Sequence, residues 1–356
     1  MIVDLAARAA RLLPPEAAHR AGLLGLKLGA ARRGPPPQEC PALETMLAGL
    51  KLPNPVGLAP GFDKNAEVPD EALRLGFGFV EIGAVTPRPQ AGNPRPRLFR
   101  LDEDRAVINR MGFNNDGLDA IARRLEKRYR RGGVGSVGVN LGANKDSEDR
   151  AGDYVKGLVR LWGLADYFTV NVSSPNTPAL RELQGRDALG ALLDRLAEAR
   201  AGRAGDTAAP PMFLKVAPDL NEDEIDAIAS AARETGVDGL VVSNTTVARP
   251  ASLKSRFKDE QGGLSGRPLF EPSTRVLKLF RQATAGRVPL IGVGGIEDAA
   301  TAYAKIRAGA SAVQLYTAMV FEGPGLAARI LEGLNELIQR DGFAHIGEAV
   351  GVDVKL

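Results

Sequence analysis

The sequence predicts a (β/α)8 barrel, on three observations. Eight short apolar runs, rich in β-branched and aromatic residues, recur between residues 55 and 316. Helix-like stretches separate them, and polar residues gather just past each run rather than before it. Strands alternating with helices imply parallel βα units, and eight such units favour a closed barrel over an open doubly wound sheet. Barrel active sites sit at the carboxyl ends of the strands, where these polar residues lie.

In chain order the runs are PVGLAP (55–60), FGFVEIG (77–83), VGSVGVN (134–140), YFTVNV (167–172), MFLKVAP (212–218), DGLVVSN (238–244), PLIGVG (289–294) and SAVQLY (311–316). GLDAIARRLEKRYRR, NEDEIDAIASAARETG and DAATAYAKIRAGA between them have the look of helices. Just past the runs come GFDKN, GAVTPRPQ, NLGANK, NVSSPN, KVAPD, SNTT, GVGGIED and YTAM.

Residues 1 to 33 read differently. VDLAARAARLL places Leu5, Ala9 and Leu12 on one helical face, and Pro14-Pro15 ends the run. Pro15 suits the first turn of a second helix, PEAAHRAGLLGLKLGAARR, with Ala21, Leu24 and Leu28 as an apolar stripe. Arg8, Arg11, Arg20, Lys27, Arg32 and Arg33 face only Asp4 and Glu16 in charge. A basic amphipathic pair of this kind can lie in a membrane interface, but the pattern alone favours a hairpin packed on the barrel. GPPPQECP (34–41) reads as a linker, so the expected division is an extension and linker over 1–40 and a barrel over 41–356.

Composition narrows the chemistry. The 356 residues are 44% apolar and 25% charged, enough for a large core. The net charge of +3 balances 46 basic against 43 acidic residues without a clustered excess in the main body, which argues against a nucleic-acid partner. Cys40 is the only cysteine, which rules out an intrachain disulfide or a cysteine metal site and suits a reducing compartment. His19 and His345 are the only histidines, one near each end, so histidine catalysis and a histidine-bound metal are not expected. No run of about eighteen apolar residues could span a membrane, and no small-residue cleavage site follows an apolar stretch at the amino terminus.

The strand ends carry the candidate site. Asparagine offers an acceptor and two donors on one flat group, so Asn109, Asn171, Asn176 and Asn244 together suit a pyrimidine or another cyclic imide. GVGGI (292–296) before a helix at the seventh strand suits a phosphate, held by backbone N–H groups and the positive helix end. Lys215, inside the apolar MFLKVAP, should point into the barrel mouth, where it needs an anionic partner or a lowered pKa. A phosphate-binding isomerase or aldolase using Lys64 or Lys215 remains as compatible with these residues as a flavin enzyme.

GFDKN, VTPRPQAGNPRPRLFR, NRMGFNN, VNVSSPNTPALR, SNTT, GGLSGRPL and GVGGI, in this order, resemble the dihydroorotate dehydrogenases, from about residue 44 to the carboxyl end. The resemblance implies an FMN enzyme on a (β/α)8 barrel that oxidises dihydroorotate to orotate in pyrimidine synthesis. It places the base at Ser174, taking a proton from C5 while a hydride leaves C6 for flavin N5. Serine there marks class 2 enzymes, which reduce quinone; class 1 enzymes have cysteine and a soluble acceptor. The PEAAH stretch (15–19) resembles the class 2 extension, which implies a membrane surface bound through residues 1–33, a quinone entrance, and a peripheral location on the cytoplasmic side of the cell membrane. That reverses the weighting from pattern alone. No obligatory protein partner is implied.

By the same resemblance Lys64, Asn109, Arg110, Met111, Gly112, Phe113, Asn171, Asn176, Asn244 and Thr245 would hold dihydroorotate or orotate. FMN would touch Pro60, Gly61, Phe62, Asp63, Lys64, Ala84, Asn140, Asn171, Lys215, Ser243, Gly266, Gly295, Tyr316 and Thr317. Ala84 stands where many members have threonine, so a backbone contact to FMN is retained there and a hydroxyl contact is lost. Ser243 also replaces a common threonine but keeps the hydroxyl. An unassisted serine is a poor base, so the loop carrying Ser174 must exclude bulk water and reach a proton acceptor. The prolines and Gly185 framing 173 to 185 suit a lid over the substrate. Ser173 should face the opposite way from Ser174, since neighbours on extended backbone alternate. Besides the isomerase, the alternatives at this point are a class 1 enzyme and a noncatalytic FMN-binding or membrane-adaptor protein.

Overall fold

The computed structural model describes residues 11–29, 40–177, 180, 185–203 and 209–356. Helix α1 (Pro15–Lys27) precedes a hairpin of β1 (Thr45–Leu47) and β2 (Leu50–Leu52). There follow β3 (Val56–Leu58), α2 (Pro69–Leu73), β4 (Phe79–Val85), β5 (Leu98–Leu101), β6 (Ala106–Asn109), α3 (Leu118–Arg130) and β7 (Ser136–Leu141). Then come α4 (Arg150–Leu161), β8 (Tyr167–Asn171), α5 (Arg186–Ala201), β9 (Met212–Val216), α6 (Glu222–Glu234), β10 (Gly239–Val242), β11 (Gly263–Gly266) and α7 (Phe270–Ala283). The chain closes with β12 (Leu290–Val293), α8 (Ala299–Arg307), β13 (Ala312–Leu315), α9 (Thr317–Glu322) and α10 (Leu326–Arg340).

Strands β3, β4, β7, β8, β9, β10, β12 and β13 form a closed parallel barrel, one from each of the eight runs. Five further strands were not expected. The β1–β2 hairpin sends Leu47 and Leu52 into the apolar cluster that fills the barrel floor. The antiparallel sheet β5–β6–β11 stands outside the barrel on its own small core of Phe99, Leu101, Ala106, Ile108, Leu253 and Leu264. Its strands, LFRL, AVIN and GLSG, are four residues each and carry little alternation to read.

Side chains two apart on a strand share a face, so each barrel strand offers one row to the inside and one to the helices. Inside, large and small residues pair across strands. Phe79 sits opposite Gly57, Tyr167 opposite Gly138 and Phe213 opposite Gly239. A Cβ at those glycines would come 2.3, 2.0 and 2.6 Å from the facing rings, so only glycine leaves room. The rings meet edge to face, Phe79 to Tyr167 at 6.2 Å and Tyr167 to Phe213 at 5.5 Å between centroids.

One layer above this apolar floor the inward residues turn polar. Glu81, two residues on from Phe79, is fully buried and accepts from Asn140 Nδ2 at 2.7 Å, Tyr167 OH at 3.2 Å and Gln314 Nε2 at 2.7 Å. The outward rows pack beneath the helices, which are capped conventionally where the sequence allows. Asn221 and Glu224 form a capping box at the start of α6, and Asp298 and Thr301 do the same at α8.

Helix α1 ends at Lys27, short of residue 33. The expected first helix lies largely, and the linker mostly, outside the described residues. Leu26 is buried and Leu23 packs against the core, whereas the expected stripe of Ala21, Leu24 and Leu28 faces outward, with Leu24 56% and Leu28 75% exposed. The helix is held by ion pairs: Glu16 to Arg97 at 2.8 Å and to Arg95 at 3.0 Å, and Lys27 to Glu67.

Replacing Glu81 by leucine takes the acceptor from three buried donors at once. Glu81→Leu should lower the unfolding free energy by about 3–5 kcal/mol, measured by thermal or urea melting. A melting point unchanged from the parent chain would mean that the donors find other acceptors.

Candidate active site

The amides at the strand ends hang from Glu81. A carboxylate only accepts, so it orients the Asn140 amide with Nδ2 toward itself and Oδ1 outward. Asn140 Oδ1 accepts from Asn171 Nδ2 at 3.0 Å. That turns Asn171 Oδ1 toward Ser173 Oγ at 3.1 Å and Asn244 Nδ2 at 3.2 Å, and Asn244 Nδ2 also donates to Ser173 Oγ at 3.0 Å. Ser173 is spent on this network and has no exposure. Ser174 faces the other way, into the cavity, and its Oγ accepts from Asn176 N at 3.3 Å.

A single cavity of about 590 Å³ runs over these strand ends. It is lined by Pro60, Gly61, Phe62, Lys64, Ala84, Asn140, Asn171, Lys215, Ser243, Gly266, Gly295, Tyr316 and Thr317. Asn109, Met111, Gly112, Phe113, Ser174, Asn176, Asn244 and Thr245 line it too. The structure therefore gathers all but two of the residues expected at the site. The Gly83–Ala84 and Val242–Ser243 peptide bonds on its wall are cis.

The two exceptions are corrections. Asp63 does not reach the cavity: it is buried, and its carboxylate accepts from the backbone N–H groups of Asn65, Glu67 and Val68 at 3.2, 2.9 and 2.8 Å. It is thus a loop clasp that holds Lys64 in place, and burial pushes its pKa up against those hydrogen bonds. The Arg110 side chain turns outward, lies 4.6 Å over the Phe99 ring and pairs with Glu260 at 2.8 Å. Its neighbours Asn109 and Met111 take the cavity side, as alternation on extended backbone requires.

Asn93 was not singled out from the sequence, although it lies within the AGNPRPR stretch. Its Nδ2 donates to Arg110 O at 3.0 Å and Asn176 O at 3.2 Å, fastening the 109–113 loop to the Ser174 loop. Asn176 Nδ2 adds a bond to Asn109 Oδ1 at 3.1 Å. Six residues of the expected lid, 178–179 and 181–184, lie outside the described residues. Thr177 Oγ1, three residues past Ser174, is buried and has no hydrogen-bond partner among the described residues.

Two lysines set the electrostatics. Lys64 lines the cavity; burial first, then the Arg97 charge, pushes its pKa down to about 8, with Glu16 opposing. Lys215 is 5% exposed and makes no hydrogen bond or ion pair among the described residues. Burial pushes its pKa down, and the Glu81 charge opposes this. An ammonium buried without a partner, at the mouth of a cavity ringed by amides, fits an electron-rich ring with carbonyl edges.

The far wall of the cavity comes from α1, through Glu16, His19, Gly22, Gly25 and Leu26 among others. His19 Nδ1 lies 3.0 Å from Tyr316 OH, and Phe62 meets both rings nearly edge-on, at 5.7 and 5.6 Å between centroids. Burial, then the Lys64 charge, pushes the His19 pKa down to about 4, so the ring is neutral at pH 7. His19 was met in the sequence only as one of two histidines; nothing in its local pattern places it against the eighth strand.

Comparison with known proteins agrees with this architecture. The family model described as dihydroorotate dehydrogenase matches residues 42–338. Proteins of Brucella anthropi and Brucella ovis named dihydroorotate dehydrogenase (quinone) are each 53% identical, covering 99% of this chain and 96% of their own. A ligand-free dihydroorotate dehydrogenase of Eimeria tenella superposes with a TM-score of 0.91 at 42% identity, over 96% of this chain and all (100%) of that one. The same enzyme in complex with ferulenol gives 0.90, over 96% of each chain. The family is flavin-dependent. With a barrel whose strand-end cavity carries the family's motifs, the chain belongs to the dihydroorotate dehydrogenase family.

Proposed function

We propose that this chain is a quinone-dependent dihydroorotate dehydrogenase that oxidises (S)-dihydroorotate to orotate with FMN, in de novo pyrimidine synthesis. The observation that carries the reading is the continuity of one cavity from Ser174 and Lys64 at the strand ends to the inner face of α1. The outer face of that helix, with the residue that caps its end, is a bare stripe of Ala17, Ala21, Leu24 and Leu28. This combination supports residues 1–33 as a peripheral anchor on the cytoplasmic side of the membrane, with quinone entering beside it. No described helix is long and apolar enough to cross a membrane.

The residues fit a flavin. Lys215 would hold its electron-rich edge, Asn140 and Asn171 would meet ring carbonyls and N–H groups, and Gly266, Gly295 and Thr317 would hold the phosphate. Bound FMN supplies a two-electron acceptor for the substrate hydride and a donor to quinone. On the other side Asn109, Asn176 and Asn244 present amides to the substrate ring, and Lys64 offers an ammonium to its carboxylate. With a pKa near 8, most of Lys64 carries its charge at pH 7.

Ser174 takes the C5 proton. The backbone N–H of Asn176 holds its oxygen in place, and burial behind the loop keeps bulk water away. The buried Thr177 hydroxyl on the same loop, without a partner among the described residues, supports a route for that proton away from the serine.

The purified protein should show a flavin absorption band that bleaches when dihydroorotate is added without oxygen. Ser174→Ala should bind orotate normally and slow that bleaching by at least about a hundredfold. Retention of most of the rate would remove Ser174 from the role, and absence of flavin even after reconstitution would restore the isomerase reading. Deleting residues 1–33 should abolish quinone turnover and liposome binding while sparing flavin reduction. Intact quinone turnover by that truncation would sink the entrance proposal.

A further inference from the structure

Lys305 on α8 is fully buried, and no carboxylate among the described residues pairs with it. Its Nζ donates to Ser273 Oγ at 2.5 Å and lies 5.4 Å from the centre of the Phe270 ring. Burial pushes its pKa down to about 7, and only the more distant charge of Glu271 opposes this. A methionine or leucine would fill the same space without the cost of burying an ammonium. The lysine therefore calls for an explanation beyond packing.

Its surroundings supply one. Ser273 Oγ donates to Leu269 O at 2.6 Å and also lies 3.3 Å from Gly294 O. A Cβ on Gly294 would come 2.7 Å from that hydroxyl, and one on Gly295 would come 2.4 Å from Phe270 Cβ and 2.5 Å from Phe270 N. The Gly294–Gly295 turn, the first turn of α7 and the lysine side chain thus pack as one block. The start of a 14-residue helix adds positive potential to the ammonium. The other face of the block, Gly294 and Gly295, lines the cavity beside Gly266 and Thr317.

The charged groups at that edge are already matched. Glu297 pairs with Arg105 at 2.8 Å and with Arg267 at 2.7 Å, and Arg105 also pairs with Glu322. The positive block behind the turn has no such anion among the described residues. What it lacks is a negative group on the cavity side.

We propose that Lys305 is a positioning residue for the phosphate of the bound flavin mononucleotide, acting through Ser273 and the Gly294–Gly295 turn, and that it makes the site prefer the phosphorylated flavin to riboflavin. The inference rests on the flavin reading above.

The test is an exchange equilibrium. Holoenzyme is incubated with graded riboflavin, and the FMN released is measured by chromatography. In Lys305→Met the exchange constant should move toward riboflavin by about tenfold, the size of one partly screened charge interaction. Ser273→Ala, which keeps the lysine but removes its link to the turn, should move it the same way by less.

An unchanged exchange constant in a folded, flavin-retaining Lys305→Met overturns the proposal. If that variant does not fold or retains no flavin, an unchanged constant in Ser273→Ala overturns it instead. A parent protein that binds neither flavin fails the functional reading itself, whereas normal parent binding with unmoved variants fails only the role of Lys305.

Discussion

The buried carboxylate of Glu81 is the constraint on which the rest of the site depends. Three donors converge on it from three other barrel strands. Because it only accepts, it decides which way the Asn140 amide faces, and through it Asn171, Ser173 and Asn244. A row of asparagines is otherwise ambiguous, since each amide can be turned over with little change of shape. One anion at the foot of the row removes that ambiguity. It also supplies the nearby negative charge that offsets part of the burial cost of Lys215.

Function is layered along the barrel axis. An apolar floor of rings and glycines gives rigidity, a polar middle layer gives direction, and the strand ends line the cavity. The outer β5–β6–β11 sheet and α1 then close the cavity from the side. No histidine stands at the strand ends: the cavity there is faced by a serine held by a backbone N–H and by two lysines. His19 instead serves as a neutral ring in the wall shared with Phe62 and Tyr316.

Much of this was legible in the sequence, for a reason that also explains the failures. The eight barrel strands stood out because both faces are buried, leaving unbroken apolar runs. The cavity-lining residues stood out because polar groups follow those runs. Lys215 was conspicuous as a charge inside an apolar strand. By the same logic Glu81 in FGFVEIG and Gln314 in SAVQLY carried an equal signal and went unread. Asp63 and Arg110 were carried along with their motifs, yet a motif does not say which neighbours alternate away from the ligand. Asn93 and His19 act through contacts distant along the chain, and no local pattern encodes those. The stripe on α1 was read correctly as apolar, but whether it faced the core or the outside depended on where Leu23 and Leu26 found room.

The pairing of rings with glycines in the floor has a consequence for how such a sequence can drift. Phe79 and Gly57, Tyr167 and Gly138, and Phe213 and Gly239 each share one space between adjoining strands. A methyl group added at the small member collides with the large one, and a ring trimmed at the large member leaves a hole over the small one. Each half therefore shields the other from single changes. A descendant chain can redistribute volume in this floor only through paired exchanges, so the least accessible part of the barrel is also where its mutational paths are narrowest.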